Sequence, residues 1–388
     1  MSVREPSSGT TKVVIVGGGV AALECAVALR DLAGGHVAVT VVSAVERYVD
    51  RPLEIGEPFG LGPTRTYALS AICASIGAEL IVDRADAVDA LGRKLELASG
   101  RIIGYDMLVL AQGASLVPAY DHGVVFDREL SPEDFDDVLE DIDEGFVPRI
   151  AFVVPDGVHW TMPAYELAVL TSARVKAKAP ESELLLVTHE RRPLQAFGAA
   201  ASDQVAAVLE RHGVTLRTGV SADVVTHTAM RIAGAWTEVD RIVHLPLAVG
   251  RAPHGVPTDV EGFIPCDLYG CVEGLEDVYA AGDATAEPIK QGGLAAQQAD
   301  AVAGHIAARV GAIAEPPPAR RVLRGLLRTP SGPLFLRAEL HDPDGTSAWA
   351  TEPLWWPPTK IVSRRLSPHL ARLEADRRLG RTGVALAR

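Results

Sequence analysis

Gly17, Gly19 and Ala22 follow the G-x-G-x-x-G/A spacing that is typical of dinucleotide-binding turns. The apolar run Val13–Val16 before them predicts a buried parallel strand, and Val20–Leu32 after them predicts a helix. In such a unit the first glycine allows the tight turn, the second lets a phosphate approach the backbone, and the small third residue lets helix and strand pack closely. Free N–H groups and the helix dipole favour anions at a helix start. The spacing therefore predicts a pyrophosphate site.

The position after the second predicted strand departs from the usual pattern. That strand, Val37–Val42, is followed by Ser43, where an acidic residue usually binds the ribose hydroxyls. A serine hydroxyl can make one of these hydrogen bonds, so dinucleotide binding is still expected. Glu46 in the following loop is the alternative partner, unless it is simply an exposed side chain.

A distant segment indicates which dinucleotide is bound. The strand predicted at Asp277–Ala281 ends in Gly282 and Asp283, which would bring a carboxylate next to a polyol chain. A flavin carries such a ribityl chain, and a nicotinamide cofactor does not. The helix predicted at Gln291–Gly311 aims its positive end at the flavin edge that gains negative charge on reduction. Lys290 adds a further positive charge at that edge. The two segments together predict bound FAD.

A second strand–helix–strand unit begins at Arg149–Asp156 and ends at Leu184–Val187. Its turn, residues 155–160, contains one glycine and several large side chains that would obstruct a pyrophosphate. We therefore expect no second bound dinucleotide. Arg191 and Arg192, which follow the second strand of this unit, could still hold the 2′-phosphate of a nucleotide, although the glycine turn is missing.

The chain resembles the two-dinucleotide-domain flavoproteins related to pyridine nucleotide-disulfide oxidoreductases, over roughly Lys12–Val310. The segments that carry this resemblance are Val13–Gly19, Leu110–Ala114 and Val278–Ala284. Within the superfamily, the chain is most similar to sulfide:quinone oxidoreductases and flavocytochrome c sulfide dehydrogenases, and type II NADH dehydrogenases are further off. The segments similar to the sulfide group are Arg51-Pro52, Phe197-Gly198 and Pro288–Gly293.

This resemblance implies an α/β fold with two Rossmann-like, three-layer dinucleotide-binding domains and a smaller C-terminal region. The FAD-binding domain is expected at 1–120 with 252–318, the second domain at 121–251, and the C-terminal region at 319–388. No metal site is expected. The FAD contacts that the motifs and the resemblance together predict are Gly17, Gly19, Val20, Ala21, Ala22, Ser43, Arg51, Pro52, Ala85, Ala111, Gln112, Gly113, Gly282, Asp283, Lys290, Gln291 and Gly292.

The cysteines depart from the sulfide group, in which a reactive cysteine occupies the turn after the first strand of the second domain. Here that turn, Val158–Thr161, has no cysteine. Cys266 and Cys271 are five residues apart, and Cys25 and Cys73 fall on predicted helices as small apolar residues. The sequence therefore predicts chemistry without a cysteine disulfide.

The resemblance places His159, Trp160 and Tyr165 opposite the flavin, with packing between domains as the alternative role. His159 is the preferred general acid or base because histidine ordinarily titrates near neutral pH. We expect His159, Trp160 and Lys290 to be the catalytic residues. Trp355 and Trp356 could wall a flat apolar quinone pocket, or could simply belong to a core.

The net charge of −13 argues against nucleic acid as a partner. Residues 320–388 carry a net +7, which leaves −20 on the rest. This basic region is expected either to be solvated or to contact an acidic partner or an anionic membrane surface. The opening residues lack a signal pattern and no run of 18 apolar residues follows, so a cytoplasmic location is expected. Ser131 and Pro132 predict the start of an acidic helix.

The sequence predicts an FAD-dependent oxidoreductase that passes two electrons from an unidentified donor to a quinone or a similar acceptor. Two alternatives stay open: an NAD(P)H-dependent reductase, and an electron-transfer or structural subunit that binds FAD but has lost its own substrate chemistry. The expected partners are a small-molecule substrate or quinone, with an electron-transfer protein and a second copy of the chain as further alternatives.

Overall fold

The computed structural model describes residues 10–127, 130, 135–340 and 346–378, so the helix start predicted at Ser131 and Pro132 lies outside the described residues. In the described part of the chain, the helices are α1 (Val20–Ala33), α2 (Leu69–Ile76), α3 (Phe135–Glu144), α4 (Met162–Lys178), α5 (Ala199–Arg211), α6 (Gly292–Arg309) and α7 (Leu366–Arg378). Three-residue 3-10 turns lie at Gly34–His36, Gln195–Phe197 and Gly282–Ala284, and a nine-residue 3-10 helix spans Arg51–Phe59. No helix in these ranges is both long and apolar enough to span a bilayer.

The strands of the first half are β1 (Thr11–Val16), β2 (Val37–Ser43), β3 (Arg47–Val49), β4 (Thr66–Ala68), β5 (Glu79–Val82), β6 (Ala85–Asp89), β7 (Lys94–Leu97), β8 (Ile102–Gly104), β9 (Met107–Leu110), β10 (Ser115–Val117), β11 (Val124–Val125), β12 (Arg149–Val154) and β13 (Glu183–Thr188). Those of the second half are β14 (Val214–Arg217), β15 (Ala222–Val225), β16 (Ala229–Ile232), β17 (Ala235–Glu238), β18 (Arg241–His244), β19 (Leu247–Val249), β20 (Val278–Ala280), β21 (Arg321–Leu327), β22 (Leu334–Leu340) and β23 (Ser347–Ala350).

The first unit is a parallel sheet with the order β5-β2-β1-β9-β20. Its strands are apolar on both faces because both faces are covered. On one face, Val13 and Ile15 pack on the alanine-rich helices α1 and α6. On the other face, Val14 and Val16 pack on the small antiparallel sheet β6-β7-β8. The three layers and the strand order are those of a Rossmann-like fold, as the sequence predicted.

The second unit repeats this plan with the parallel order β14-β13-β12-β18-β11. Ile150 and Phe152 of the central strand face helices α3, α4 and α5, and Ala151 and Val153 face the hairpin sheet β15-β16-β17. Helix α4 has Pro163 in its first turn, where proline is tolerated because the N–H that it lacks has no intrahelical acceptor. The predicted fold class, with two Rossmann-like domains, is confirmed.

The second unit is inserted between β9 and β20 of the first, and the two chain crossings pair as the antiparallel ribbon β10-β19. The C-terminal region adds the antiparallel sheet β21-β22-β23 and helix α7. Leu323 and Leu336 of that sheet join the core of the second unit, whereas α7 packs on α1 in the first. The C-terminal region therefore contacts both units. The boundaries at 120, 251 and 318 stay predictions.

Candidate functional site

The turn between β1 and α1 is shaped to receive a phosphate. Gly17 has φ +131°, and a Cβ there would lie 2.1 Å from the carbonyl oxygen of Ala111. Gly19 caps α1 without a side-chain hydrogen bond, and a Cβ there would meet nothing within 4 Å. The start of α1 is therefore open, with N–H groups that have no intrahelical partner. This is the geometry expected for Gly17, Gly19, Val20, Ala21 and Ala22.

The carboxyl end of β9 lies against this turn, since Ala111 is next to Gly17. The space that the turn and the end of β9 border is called here the crevice. Both polar atoms of the Gln112 side-chain amide are buried without a hydrogen-bond partner among the described residues. Gly113 follows with φ +73° and open space at its Cβ position. Leaving a buried amide unpaired costs about 1–3 kcal/mol. The unpaired amide therefore fits a site that a polar ligand such as FAD completes.

Arg251, which the sequence analysis missed, lies at the same end of β9. Its guanidinium donates to the carbonyl oxygen of Gln112, and burial together with the nearby charge of Arg51 lowers the pKa of Arg251. Arg51, whose guanidinium also lies 3.7 Å from the Asp127 carboxylate, brings a second positive charge near Arg251. Arg251 follows β19 on the returning chain crossing, so only the topology brings it to Gln112.

Ser43 differs from its expected role. Its hydroxyl donates to the carbonyl oxygen of Val45 at 2.8 Å and accepts from the Val45 N–H at 3.2 Å. The side chain is buried, and a Cβ on Gly18 would lie 2.5 Å from its oxygen. Ser43 therefore closes its own turn and is not presented to a ribose. Glu46, the alternative, is exposed. Ala85 begins β6, three residues after Val82, the β5 residue that pairs with Ser43.

Asp283 lies in the 3-10 turn that follows β20, as the ribityl motif requires. Gly282 has φ +74°, and its N–H donates to the Gln298 side chain at 2.6 Å. The Asp283 carboxylate is half-buried and makes no hydrogen bond within the described chain. Burial raises the pKa of Asp283, while the charges of Lys290 and His159 oppose that rise. A half-buried carboxylate without a donor fits the hydroxyls of a ribityl chain.

Lys290 is buried beside this carboxylate. Its ammonium donates to the carbonyl oxygen of Thr285 and lies 3.6 Å from the ring centroid of Phe263, a cation–π contact. Burial lowers the pKa of Lys290 to about 8, although the charge of Asp283 and of three other carboxylates partly opposes this. Lys290 is therefore protonated at neutral pH. Phe263 was missed by the sequence analysis because no motif contains it.

At the start of α6, Gln291 and Gly292 do different things, although both were predicted to contact the cofactor. Gln291 caps the helix, since its side-chain oxygen accepts from the Leu294 N–H at 2.9 Å and its nitrogen donates to the Arg324 carbonyl at 3.2 Å. The Gln291 amide is thus occupied, contrary to a direct cofactor contact. The N–H groups of Gly292 and Gly293 have no intrahelical acceptors.

His159 reaches the same place from the second unit. Its Nδ1 lies 3.0 Å from the carbonyl oxygen of Pro288, and its Nε2 lies 3.9 Å from a carboxylate oxygen of Glu261. Its ring packs edge-on against Phe263, with ring centroids 5.2 Å apart. The structure therefore brings His159 together with Lys290 and Asp283, which lie more than 120 residues further along the chain.

Trp160 and Tyr165 have other surroundings. Trp160 is half-buried and packs on Phe197 in the core of the second unit, with ring centroids 6.1 Å apart. Tyr165 is fully buried, and its hydroxyl donates to Glu190 at 2.6 Å. The flavin-facing role considered for Tyr165 is therefore wrong, because helix α4 turns that residue toward its own sheet.

In the second unit, the groups that would hold a nucleotide are already bonded to other residues of the same unit. Glu190, just beyond β13, accepts hydrogen bonds from Tyr165 and from the Gln195 N–H. Arg192 pairs with Asp203 at 3.2 Å, and the exposed Arg191 side chain has no phosphate-binding turn beside it. The arrangement disfavours the 2′-phosphate alternative.

The four cysteines lie away from this centre. All four are free; Cys25 and Cys73 are buried on α1 and α2, as predicted. Burial raises the pKa of Cys73 and Cys271 to about 11 and that of Cys266 to about 12. At neutral pH these thiols are protonated, and the thiolate is the nucleophilic form.

The two tryptophans of the C-terminal region do not act as a pair. The Trp355 ring packs on Phe335 with centroids 5.0 Å apart, and its indole nitrogen donates to the Thr359 carbonyl. Trp356 is 83% exposed. The predicted wall therefore rests on Trp355 alone, because the chain turns at this point and directs Trp356 outward.

A buried ion pair lies next to this wall. The Lys360 ammonium donates to both carboxylate oxygens of Glu166 at 2.6 Å, and Glu166 is fully buried on α4. The next residue, Ile361, covers the start of α6: a Cβ on Gly292 would lie 3.0 Å from its side chain. The sequence analysis missed this pair because its members are 194 residues apart and belong to no motif.

A glycine turn at the open start of α1, a carboxylate after β20 without a hydrogen-bond donor in the described chain, and the start of α6 beside Lys290 converge on one crevice between two Rossmann-like units. This combination defines the class of FAD-binding flavoproteins with two dinucleotide-type domains. The family model described as pyridine nucleotide-disulphide oxidoreductase matches residues 11–301, and the chain belongs to that family. The protein is an FAD-dependent oxidoreductase.

Solved structures show the same fold. The sulfide:quinone oxidoreductase of the hyperthermophilic bacterium Aquifex aeolicus is 18% identical, with a TM-score of 0.77 over 96% of this chain and 92% of that one. A ferredoxin reductase for the CYP199A2 system from Rhodopseudomonas palustris is 20% identical, with a TM-score of 0.63 over 86% and 83%. NDH2 from Plasmodium falciparum, in complex with NADH, is 13% identical, with a TM-score of 0.55 over 71% and 64%. No curated protein matches the sequence.

Proposed function

We propose that this protein passes two electrons from an unidentified donor through bound FAD to a quinone or a similar acceptor, without a cysteine disulfide. The observation that carries the proposal is the crevice itself. It joins the phosphate turn, Asp283, His159 and Lys290, and all four cysteines lie outside it. The likeness to a sulfide:quinone oxidoreductase over nearly the whole chain supports a quinone as acceptor.

The chain's own residues hold and orient the cofactor. Bound FAD would supply the two-electron redox chemistry. The open start of α1 would bind its diphosphate, with Arg51 and Arg251 facing the same charge. The Asp283 carboxylate would accept hydrogen bonds from the ribityl hydroxyls. Ala111, Gln112 and Gly113 line the crevice between these two ends.

On the side of the electron donor, His159 would accept a proton and Lys290 would supply a fixed positive charge. The Pro288 carbonyl fixes the imidazole ring of His159 when Nδ1 carries a proton, which leaves Nε2 to accept a proton from the donor. Lys290 stays protonated at neutral pH and supplies a fixed positive charge in a buried setting. Trp160 belongs to the core behind His159 and would position that turn.

The acceptor side would be formed by the C-terminal region. Trp355 and Phe335 offer an apolar wall, and the buried pair of Lys360 and Glu166 lies beside it. Reducing a quinone to a quinol requires two electrons and two protons. One proton would arrive with the two electrons as a hydride from the reduced cofactor, and the Lys360 ammonium would donate the second to a quinone oxygen. Trp356 and the basic charge of residues 320–388 suit contact with an anionic membrane surface, from which a quinone would enter.

The acceptor half-reaction tests the proposal without knowledge of the donor. The flavin of the purified protein is reduced photochemically under anaerobic conditions and then mixed with a short-chain ubiquinone analogue in a stopped-flow instrument. We expect saturable reoxidation, slowed at least tenfold in the variant Glu166→Gln with Lys360→Met. A matched double variant of two exposed residues, Glu181→Gln with Lys178→Met, should behave as the wild type. Reoxidation that is slow, or that shows no saturation with quinone, would contradict the proposal.

The donor half-reaction is tested separately. The oxidised protein is mixed with sulfide, NADH or NADPH, and bleaching of the flavin absorbance is followed. We expect no fast reduction by either nicotinamide nucleotide because the second unit lacks an open phosphate turn. Fast reduction by NADH would instead favour a nicotinamide-dependent reductase.

A further inference from the structure

Helix α7 lies across the face of the first unit that α1 and α2 form. Leu366 and Leu370 insert into an apolar cluster made by α1, α2 and the ribbon β3-β4. The members of this cluster, called here the turn-support cluster, are Leu23, Tyr48, Tyr67, Leu69 and Ile72. Leu366 is 1% exposed and Leu370 is 8% exposed, so the helix closes the cluster to solvent.

The turn-support cluster lies directly behind the phosphate turn. Leu23 belongs to the first turn of α1, which begins at Val20. The Leu69 side chain touches Gly18, since a Cβ on that glycine would lie 2.8 Å from the methyl group of Leu69. Packing on one side of this cluster therefore acts on the position of the turn on the other side.

A buried carboxylate fastens the start of α7. Glu24 of α1 is fully buried, and its oxygens accept the backbone N–H groups of Arg365 at 2.8 Å and Leu366 at 2.5 Å. The Arg365 guanidinium pairs with Asp300 of α6 and lies 3.6 Å from Asp31. A carboxylate at a helix start satisfies orphan N–H groups and meets the positive end of the helix dipole.

The far part of α7 is held by two side-chain contacts. His369 Nε2 lies 2.8 Å from the Ser75 hydroxyl of α2, and the Tyr67 hydroxyl donates to Glu374 at 2.5 Å. Leu366 and Leu370 are the buried apolar side chains among the described residues of α7, so its apolar attachment is small and these polar contacts add to it. Elements with few buried apolar contacts open at low free-energy cost.

We propose that α7 is a detachable strap, latched by Glu24, that holds the phosphate turn in its binding form and so sets how fast FAD leaves the protein. The proposal rests on the proposed FAD site at Gly17–Val20. When the strap detaches, the turn-support cluster meets water and Leu69 loses its backing against Gly18. The start of α1 then loosens, and the dissociation rate of FAD rises.

The latch responds to pH with a definite sign. Burial, with Asp300 as a further cause, raises the pKa of Glu24 to about 7, while the two N–H donors and the charge of Arg365 oppose the rise. Because this pKa lies above that of a free carboxyl, docking is strongest when Glu24 is protonated and weakens as pH rises toward 7. At the other end, burial and the charges of Arg30 and Arg372 lower the pKa of His369, against Asp31. Protonation of His369 therefore weakens docking at acid pH.

The test compares full-length variants by two readouts. Hydrogen exchange of the α7 amides reports strap opening, and the rise in fluorescence as FAD leaves on dilution reports cofactor release. We expect Glu24→Ala and Arg365→Ala to speed both by at least fivefold. Arg377→Ala removes an equal charge from an exposed position of the same helix and should match the wild type. Glu24→Gln removes the titrating group, so FAD release from this variant should show no acceleration between pH 6 and 8, although one of the two N–H groups at the start of α7 loses its acceptor oxygen.

Each outcome decides between the two proposals. Faster α7 exchange with unchanged FAD release would overturn the strap, as would unchanged exchange in both opening variants. If Glu24→Ala does not fold, Arg365→Ala carries the same test from the surface side of the latch. A wild-type protein that loads no FAD would instead refute the proposed function. A loaded protein with variant-independent release refutes the strap alone.

Discussion

The two Rossmann-like units share a strand order but differ at the turn after their first strand. In the first unit, Gly17 and Gly19 leave the start of α1 open. In the second, residues 155–161 place His159 and Trp160 at the start of α4, where one ring faces Phe263 and the other packs on Phe197. The same backbone plan therefore leaves the helix start open in one unit and closes it with large side chains in the other.

The residue at the end of the second strand, where nucleotide-binding units usually carry a ribose-binding acid, does not explain why the two units differ. In the first it is Ser43, whose hydroxyl bonds to Val45, and in the second it is Glu190, whose carboxylate accepts from Tyr165. Both side chains are buried and occupied. A search for a ribose-binding acid would favour the second unit, which has the closed turn. Space at the phosphate turn is the better guide, because a pyrophosphate must approach the backbone itself.

The largest expected effect comes from closing the open turn. Gly19→Trp places an indole where a Cβ now meets nothing within 4 Å, so the diphosphate is excluded and the protein should purify without flavin. The absorbance of the purified protein between 350 and 500 nm is the measurement. The matched control in the second unit is Asp156→Trp, at an exposed position of its turn, which should keep full flavin content. A yellow Gly19→Trp protein would refute the assignment of the turn.

The next effect concerns the fixed charge at Lys290. Reduction adds negative charge to a flavin, and a buried cation nearby stabilises that form by an estimated ~1–2 kcal/mol, as for charges at helix ends in partly buried geometry. Since about 1.4 kcal/mol corresponds to roughly 30 mV for two electrons, Lys290→Met should lower the midpoint potential by tens of millivolts. FAD should stay bound, because its phosphate contacts lie elsewhere.

The same lysine predicts how this difference varies with pH. Burial lowers the pKa of Lys290 to about 8, so the side chain is charged below that pH in the oxidised protein. The potential difference between wild type and Lys290→Met should be complete below pH 8 and fade above it as the ammonium loses its proton. Spectroelectrochemical titration of both proteins at several pH values measures this. Equal potentials at pH 7 would show that Lys290 acts only within the protein, on Thr285 and Phe263.

A smaller effect is expected from the cysteines. With a donor identified, replacing Cys25, Cys73, Cys266 and Cys271 by alanine should leave turnover within about tenfold, or roughly 1.4 kcal/mol of barrier. None of the four contacts His159, Lys290 or Asp283, and burial holds their thiols protonated. Flavin content and the thermal unfolding midpoint serve as controls for folding. A loss of several orders of magnitude in a folded, flavin-loaded variant would falsify the disulfide-free mechanism.

The elements that bear short-range signals could be predicted from the sequence. The run Val13–Val16, the glycine turn and the helix after it are encoded within 20 residues, and the structure has β1 at Thr11–Val16 and α1 at Val20–Ala33. Arg251, Phe263 and the pair Lys360–Glu166 could not be predicted, because each reaches the site through pairings between distant segments. Which side chains near a motif are already occupied, as with Ser43, likewise depends on hydrogen bonds within the turn that no spacing reveals.

The smallest expected effect is at the second unit, where a nicotinamide nucleotide should not bind. Binding would require the start of α4 to receive a diphosphate, but Trp160 is packed on Phe197 and the His159 ring is held by Pro288. It would also require an acid for the ribose, and Glu190 would have to give up its bond to Tyr165, at the cost of leaving a buried hydroxyl unpaired. Calorimetric titration of the flavin-loaded protein with NADH, NAD and NADPH should show no saturable heat at micromolar concentrations. Tyr165→Phe frees Glu190 without opening the turn and should still show none; nucleotide binding by that variant alone would mean that the occupied acid, and not the closed turn, separates the two units.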